Sequence, residues 1–468
     1  MENAALKSIL PFAGLPEDRL QDVSFSGDFD PHLPTSFKIT ETGIATLAAV
    51  GLAVSDLWEL RTGRRQIFSI DTRRATAALR STKYLRLDGA KVNTEQNEVM
   101  GMYPTADGRW SYLHCNFPHH RAAAMKVLDV PEEKAAVTKA VAKWKGLDLE
   151  EAIIAAGGAG GMVRSAAEWA KHPQGRAVAS LPLMEITRIG DSPPEALPEG
   201  DRPLSGVRVL DLTRVLAGPT CARTLAEQGA DVMKISAPHI PYIAYQEYDT
   251  GIGKLSAHID LRETDQRDTF FDLIKDCDVF SQGYRPGTLA DRGLSPDELA
   301  KQRPGIVCVS LSAFGHEGPW TARRGFDTAV QAVSGIVARQ GELFPGAAPG
   351  PQFYPVSAID YLTGYLMAFG AMVALRRRAT EGGSWLVRLS LAQIGHWLQQ
   401  QGELAPEVLA GVESEFKPSE VEKWTTVTDT PMGQLTHLAP VLEFSETPAR
   451  WARPSVPLGH SDPVWPAR

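Results

Sequence analysis

The chain has 468 residues, which is roughly two to three times the length of a typical domain, so a large hydrophobic core with at least one subdivision is expected. Hydrophobic residues make up 43% of the chain and charged residues 22%. This composition is that of a folded protein and excludes a disordered one. The formal net charge of -8 argues against a nucleic-acid binder or an anionic-membrane binder, because both need a dominant basic field.

The four cysteines are dispersed along the chain at Cys115, Cys221, Cys277 and Cys308. None of them has the CxxC or cysteine–histidine spacing of a zinc site, so we expect reduced thiols and no bound metal. The N-terminal residues lack the basic segment and long apolar run of a secretory leader. No apolar run approaches the roughly 18 residues of a membrane span. We therefore expect a cytoplasmic protein.

Three segments precede the best-patterned part of the chain. Residues 1–98 contain a long apolar helix, a glycine turn and a short strand. Residues 99–190 have their own pattern, with helices predicted near 131–145 and 148–156, and are expected to form a small α+β domain. Residues 191–205 concentrate proline, glycine and acidic residues, which is typical of an exposed linker.

The remaining residues, 206–468, alternate strands with helices. Short β-branched runs predict strands at 207–213, 231–236, 278–282 and 305–312, and the segments between them predict helices at 217–230, 264–276 and 295–302. This alternation is typical of an α/β fold with a parallel, doubly wound sheet of the Rossmann-like kind. Two further helices are predicted at about 325–340 and 358–379. The proline-rich tail after residue 430 is expected to wrap over this unit.

One stretch of the chain repeats another. AFGAMVALRRRATEGGSWLVRLS (368–390) aligns with AVGLAVSDLWELRTGRRQIFSID (49–71), with glycine matching glycine twice and a long helix, a glycine turn and a strand in each. Such self-similarity indicates duplicated architecture, so residues 1–98 are interpreted as a partial second copy. A chance match of two helix–turn–strand units is the alternative.

Six motifs in the C-terminal unit resemble one enzyme family. They are GVRVLDLTRVLAGPTCARTLAEQGADVMKI (206–235), GKLSAHIDLR (253–262), YRPGTLADRGLSPDEL (284–299), SLSAFGHEGPW (310–320), RRGFDTAVQAVSGI (323–336) and DYLTGYLMAFGAMVALRRR (360–378). In this order they are similar to the family III CoA-transferases, which include formyl-CoA and carnitine CoA-transferases. YPTADGRWSYLHCNFPHHRAAAMKVLDV (103–130) resembles the start of the family's small domain, so the usual order of segments is rearranged.

The resemblance assigns the central chemistry to Asp360. In the family an aspartate at this place attacks the thioester carbonyl of an acyl-CoA, and the resulting mixed anhydride is converted to an aspartyl-CoA thioester. The implied function is the transfer of CoA between an acyl-CoA thioester and a carboxylic acid. Backbone N–H groups at the helix start are expected to hold the Asp360 carboxylate ionised. A purely capping role for Asp360 is the alternative. Its counterpart in the N-terminal copy, Glu41, lacks the other motifs and is interpreted as structural.

The resemblance also implies where CoA binds. The family's contacts correspond to Leu216, Ala217, Ile259, Asp260, Leu261, Arg262, Gly283, Tyr284, Arg285, Arg324, Gly325, Phe326 and Asp327. Arg285 and Arg324 are expected to meet phosphates or an acyl carboxylate. Leu216, Ala237 and Gly283 depart from the family, in which a polar residue, an arginine and an asparagine are common. CoA and acyl-CoA are expected as substrates without a tightly bound cofactor, and the turn LAGPTC lacks the GxGxxG pattern of a nicotinamide site.

Two other functions stay open. The same fold serves α-methylacyl-CoA racemases, which use a histidine and an aspartate for proton transfer. Racemases have a histidine where this chain has Phe326, and His316, in a core motif of the catalytic half, is interpreted as a loop residue, so a transferase is favoured. A non-catalytic CoA-binding homologue is the third reading, suggested by the altered contact residues. Family members form interlocked dimers, and a homodimer is therefore expected.

Overall fold

The N-terminal part folds around one long buried helix. The computed structural model describes residues 3–29, 31–93, 97–344 and 349–467. The first elements are α1 (Ala4–Ile9), β1 (Val23–Ser26), α2 (Ile39–Thr62), β2 (Phe68–Asp71) and α3 (Thr72–Ala78). The helix α2 ends at Gly63, whose φ of 72° lies in the left-handed region that glycine adopts without steric cost.

A small α+β region follows. Its elements are β3 (Arg86–Leu87), β4 (Ala90–Lys91), β5 (Gly101–Pro104), β6 (Trp110–Leu113), α4 (Pro118–Leu128), α5 (Lys134–Val141), α6 (Gly146–Ala155), β7 (Gly160–Met162), α7 (Ala166–Lys171), α8 (Pro173–Ser180) and β8 (Glu185–Gly190). The strands β5, β6 and β7 form an antiparallel sheet. Its apolar face shares a core with α4, α5 and α6. The helices predicted near 131–145 and 148–156 are α5 and α6.

The C-terminal part is built on a seven-stranded sheet. Its elements are β9 (Arg208–Leu212), α9 (Ala217–Glu227), β10 (Asp231–Ser236), α10 (Ala244–Thr250), β11 (Lys254–His258), α11 (Thr264–Lys275), β12 (Val279–Gln282), α12 (Pro296–Gln302), β13 (Val307–Ser312), α13 (Asp327–Val333), α14 (Ile336–Leu343), α15 (Ala358–Glu381), β14 (Ser384–Ser390) and α16 (Leu391–Gln400). The strand order is β11-β10-β9-β12-β13-β14-β8. Every pair is parallel except β14 with β8. The chain is therefore a mixed α/β protein with a mostly parallel sheet, as the alternation of strands and helices predicts.

Several observed elements were not predicted, and two differences concern the C-terminal part. The single helix predicted at 325–340 is divided into α13 and α14 at Gly335, which has a φ of 95°. A Cβ at Gly335 would lie 2.3 Å from the Ala166 nitrogen, so the break lets the small region approach closely. The edge strand β11 was not predicted, because its sequence KLSAH lacks a continuous apolar run.

The C-terminal tail pairs first with strands of the N-terminal part and then runs along the C-terminal part. It contains α17 (Pro418–Trp424), the hairpin β15 (Thr425–Thr430) and β16 (Gly433–Leu438), and β17 (Leu442–Phe444). Beyond β17 the chain has no regular strand among the described residues, and its groups bond to β11 and to α11. The Ser461 N–H donates to the Ser256 carbonyl at 2.7 Å, and the Trp465 indole donates to the Leu273 carbonyl at 3.0 Å. The end of the tail therefore lies over the C-terminal unit as predicted, whereas β16 and β17 pair with β3 and β2 of the N-terminal part.

The two long helices have the lengths and the register that the internal repeat predicts. Both α2 and α15 have 24 residues, and residue n of the first corresponds to residue n + 319 of the second. The close approach of helix to strand is also repeated. A Cβ on Gly51 would lie 2.3 Å from the Phe68 ring, and one on Gly370 would lie 2.6 Å from Val387. Because Phe68 and Val387 are themselves equivalent, Gly51 and Gly370 serve the same packing.

The expectation that no segment reaches the length of a membrane span is wrong. Ile39–Thr62 and Ala358–Glu381 are both long and apolar enough to cross a membrane by length and composition. Their apolar stretches are 83% and 100% buried inside the fold, where the two helices pack against each other. They are apolar because they form the core, and a cytoplasmic location stays a prediction.

Candidate active site

A cleft opens at the carboxyl ends of the central strands. It has a volume of about 310 Å³ and is bounded by the loops after β9, β12 and β13 and by the start of α15. The strand order reverses at β9, with β10 and β11 on one side and β12, β13 and β14 on the other. In open α/β sheets, ligands bind beyond the carboxyl ends of the strands at such a point. The topology therefore places a ligand site here.

Asp360 lies at the bottom of the cleft. It is the third residue of α15 and is buried, with 6% of its surface exposed. A smaller cavity of about 80 Å³ is also lined by Asp360. Four residues line both spaces, namely Phe117, Val215, Phe326 and Asp360. Asp360 is thus accessible from two directions.

The structure brings most of the predicted contact residues to these two spaces. The cleft is lined by Ala217, Gly283, Tyr284, Arg285, Arg324, Gly325, Phe326 and Asp360. Leu216 and Asp327 line the smaller cavity instead. Ile259, Asp260, Leu261 and Arg262 lie outside both spaces, in the turn that follows the edge strand β11. There Asp260 and Arg262 form an ion pair at 2.6 Å with each other.

Arginine side chains make the cleft cationic. Arg214, Arg285, Arg323 and Arg324 all line it. Burial lowers the pKa of Arg324, and the neighbouring Arg285 lowers it further. The Arg285 guanidinium donates to the Ala322 carbonyl at 3.2 Å, while the Arg214 guanidinium lies 5.2 Å from the Phe117 ring centroid. Guanidinium groups held in this way are suited to bind phosphate or carboxylate oxygens.

The Asp360 carboxyl is not held ionised by backbone N–H groups as expected. Its own N–H donates at 3.0 Å to Oδ2 of Asp327, so Asp327 caps this helix. The Gln331 amide donates to the other oxygen of Asp327. Burial, followed by the charge of Asp327, raises the pKa of Asp360 well above its ordinary range. Burial also raises the pKa of Asp327. The two carboxyls oppose each other's ionisation.

Sequence reasoning missed a group of histidines, because it considered only the C-terminal half. His114, after β6, stacks on Phe326 with ring centroids 3.8 Å apart and planes 8° apart. His120 lies 5.5 Å from the same ring. Burial, with a smaller effect of His120, lowers the pKa of His114 to about 3. The segment HCNFPHH therefore supplies neutral imidazoles beside Asp360, and its three histidines within seven residues were the available signal.

A backbone outlier was missed as well. Val215, in the loop after β9, has a φ of 72°. A β-branched residue rarely adopts this conformation, which costs on the order of 1–3 kcal/mol and persists where the surrounding structure holds it. Val215 lines both the cleft and the smaller cavity, so the strain is located at the proposed reaction centre.

Comparison with known proteins agrees with this geometry. Residues 204–424 match the profile of CoA-transferase family III. An acyl-CoA transferase of Gibberella moniliformis is 30% identical over 417 residues, which cover 80% of this chain and 73% of that protein. An acetyl-coenzyme A transferase of Hypoxylon pulicicidum is 28% identical over 424 residues, 80% of this chain and 71% of that protein. A solved structure of a hypothetical protein from Mycobacterium tuberculosis is 30% identical over 43% of this chain and 59% of that one, with a TM-score of 0.40. The chain belongs to the family III CoA-transferases.

Proposed function

We propose that Asp360 is the group that carries acyl and CoA in turn during CoA transfer. The observation that supports this most is its position, because it is the carboxyl that borders both the cationic cleft and the smaller cavity. A bound thioester can therefore extend from one space into the other with its carbonyl carbon beside Asp360. Burial of this carboxyl also limits water, which would hydrolyse an acyl intermediate.

The reaction proceeds in four displacements. The Asp360 carboxylate attacks the thioester carbonyl, the C–S bond breaks, and a mixed anhydride and CoA thiolate result. The thiolate attacks the Asp360 carbonyl, which releases the donor acid and leaves an aspartyl-CoA thioester. The acceptor carboxylate attacks this thioester, giving a second mixed anhydride and the thiolate. The thiolate finally attacks the new acyl carbonyl and regenerates the Asp360 carboxylate.

The cationic cleft is proposed to hold CoA. Arg285 and Arg324 face an anionic ligand from the loops after β12 and β13, and the strand order around β9 supports a doubly wound, Rossmann-like arrangement. The departures at Leu216 and Gly283 remove side-chain donors, so we assign these positions to main-chain and apolar contacts. Residues 259–262 stay a prediction for the part of CoA that extends beyond the cleft.

Trapping the acyl intermediate tests the role of Asp360. Incubation with an acyl-CoA and hydroxylamine should convert the Asp360 side chain to a hydroxamate, detected by mass spectrometry of its peptide. The variant Asp360→Asn should lose at least about 10³-fold in kcat, the scale seen when a covalent nucleophile is removed. The repeat provides the matched control, since Glu41→Gln changes the equivalent residue of α2, whose carboxylate lies 3.6 Å from Lys38.

Two results would contradict this proposal. One is full CoA transfer by Asp360→Asn. The other is a wild-type enzyme that transfers CoA while every trapped adduct maps to another residue.

A racemase of the same fold remains the second candidate, and one observation favours it. His114 lines the smaller cavity together with Asp360, so a histidine and an aspartate do meet although Phe326 replaces the expected histidine. Incubation with 2-methylacyl-CoA in deuterated buffer distinguishes the two activities. Deuterium at the α-carbon without CoA transfer supports the racemase, and CoA transfer without deuterium supports the transferase.

A further inference from the structure

The smaller cavity beside Asp360 has a composition of its own. Apart from Asp327 and the residues it shares with the cleft, the polar groups of its walls are uncharged and include Thr82, Asn116, Gln246 and Ser357. The lining residues identified in the described part of the chain include no lysine or arginine. The buried Nε2 atom of His114 has no hydrogen-bond partner among the described residues, so it is free to bond to a ligand.

The charges around this cavity disfavour an anionic occupant. Asp327 and Asp360 both border it, and a second carboxylate would be repelled by them. The arginines of the site line the cleft on the other side of Phe326. The cleft is therefore suited to the anionic part of a thioester, and the smaller cavity is suited to a neutral part.

The volume of the smaller cavity limits the size of the acyl group that it can hold. An apolar cavity of roughly 150 Å³ binds benzene, which has six heavy atoms. By that ratio about 80 Å³ accepts roughly three heavy atoms beside the carbonyl carbon at Asp360. We propose that this cavity is the acyl pocket and that it selects short, uncharged acyl groups of about two to four carbons. The proposal rests on Asp360 being the acyl carrier.

Met100 and Met125 provide a matched pair of variants. Both pack in the core of the small region, but only Met100 lines the cavity. Wild-type kcat/KM is measured with acetyl-, propionyl-, butyryl-, hexanoyl- and succinyl-CoA. Acetyl- to butyryl-CoA should exceed hexanoyl- and succinyl-CoA by about 10-fold or more, the discrimination that a closed pocket gives per misfitting group. Met100→Ala should move the optimum to longer chains, and Met125→Ala should leave it in place.

A second variant tests the same pocket if Met100→Ala does not fold. Ser357→Val narrows the cavity from the α15 side and should reduce turnover of butyryl-CoA more than that of acetyl-CoA. A wild-type preference for hexanoyl- or succinyl-CoA would overturn the pocket assignment, as would chain-length profiles that neither Met100→Ala nor Ser357→Val changes. Failure of the carrier role itself is recognised separately, because no Asp360 adduct would then form with any thioester.

An independent observation concerns the two copies of the repeat. The strand β2 lies between β1, parallel, and β17, antiparallel. The strand β14 lies between β13, parallel, and β8, antiparallel. The two antiparallel strands are exchanged, since β8 follows the N-terminal copy but pairs with β14, and β17 follows the C-terminal copy but pairs with β2. Each copy thus contributes a strand to the sheet of the other.

Both halves of the chain also contribute to the site. The cleft combines Phe117, His119 and His120 from the N-terminal half with Asp360 and its neighbours. The equivalent position Glu41 lies outside both spaces. We infer that one chain contains both halves of an interlocked pair and forms one complete site without a second copy. This replaces the homodimer expected from the family resemblance.

Sedimentation of the active enzyme tests this inference. Activity should sediment with the mass of one chain, and activity per milligram should stay constant on dilution from micromolar to nanomolar concentration. Activity that sediments only with a larger species, or that is lost on dilution and regained on concentration, would show that a second copy is needed. Because only active protein is followed, the result does not depend on which thioester is used.

Discussion

At the residue scale, the paired carboxyls Asp327 and Asp360 determine how the site responds to pH. The raised pKa of Asp360 means that the proposed nucleophile is ionised only above the ordinary range of a carboxyl. We expect kcat/KM to fall as pH decreases through this raised pKa. Asp327→Asn keeps an oxygen that can accept the Asp360 N–H but removes the charge, so the acid limb of the pH profile should move to lower pH. A profile unchanged from wild type would assign Asp327 a capping role alone.

The same pair affects stability. A carboxyl whose pKa is raised in the folded state stabilises the fold below its unfolded pKa, and this contribution is lost as pH rises through the folded pKa. Asp360→Asn, which is neutral at every pH, should therefore unfold at higher urea concentration than wild type at pH 8. The expected gain is about 0.5–2 kcal/mol, typical of relieving a strained active-site group. At pH 5 the difference should be smaller, and an equal difference at both pH values would contradict this origin.

At the element scale, the packing of α15 on α9 positions Asp360 against the first loop of the cleft. A Cβ on Gly364 would lie 2.5 Å from the Ala217 carbonyl oxygen, which is a backbone atom and cannot turn aside. Gly364→Ala should therefore push the two helices apart, cost about 1–3 kcal/mol in urea denaturation, and lower kcat. Gly395→Ala in α16 is the control, because its Cβ would meet only the ends of flexible side chains at 3.2 Å and beyond. Its stability should be unchanged or higher, since alanine favours a helix over glycine.

At the scale of the whole molecule, a buried cluster of ion pairs connects the small region to the cleft. Glu150 of α6 pairs with Arg164 at 2.7 Å and with Arg323, a cleft residue, at 3.1 Å. Burial opposes ionisation of Glu150, but hydrogen bonds and charges from the two arginines outweigh it and lower its pKa. Glu150→Gln leaves two buried guanidinium groups without a counter-charge and should destabilise the protein by about 3–5 kcal/mol. The free energy of unfolding in urea measures this, and a loss below about 1 kcal/mol, the scale of a surface pair, would contradict it.

Much of the fold and of the site was predictable from local patterns. The strands β9, β10, β12 and β13 lie where short apolar runs predict them. The glycine register of 49–71 and 368–390 indicated the duplication, because Gly51 and Gly370 each lie where a helix meets its own strand and Gly63 and Gly382 each end a helix. The Asp360 position and most cleft residues followed from ordered motifs, since their spacing reflects loops after successive parallel strands.

What only the tertiary structure decided depends on groups far apart in the chain. The raised pKa of Asp360 comes from burial against Asp327, and local helix capping predicts the opposite sign. His114 and Met100 reach the site because the small region folds back over it, and no local pattern encodes that contact. The sequence did not predict the exchange of β8 and β17 either. Strand pairing across more than 190 residues depends on which free sheet edge each strand meets. The sequence by itself determined most of the elements, the glycine register of the two long helices and the position of Asp360, because these depend on local patterns. Long-range packing decided the burial of Asp360 against Asp327, the cavity proposed as the acyl pocket and the pairing of β8 and β17, because these depend on groups far apart in the chain.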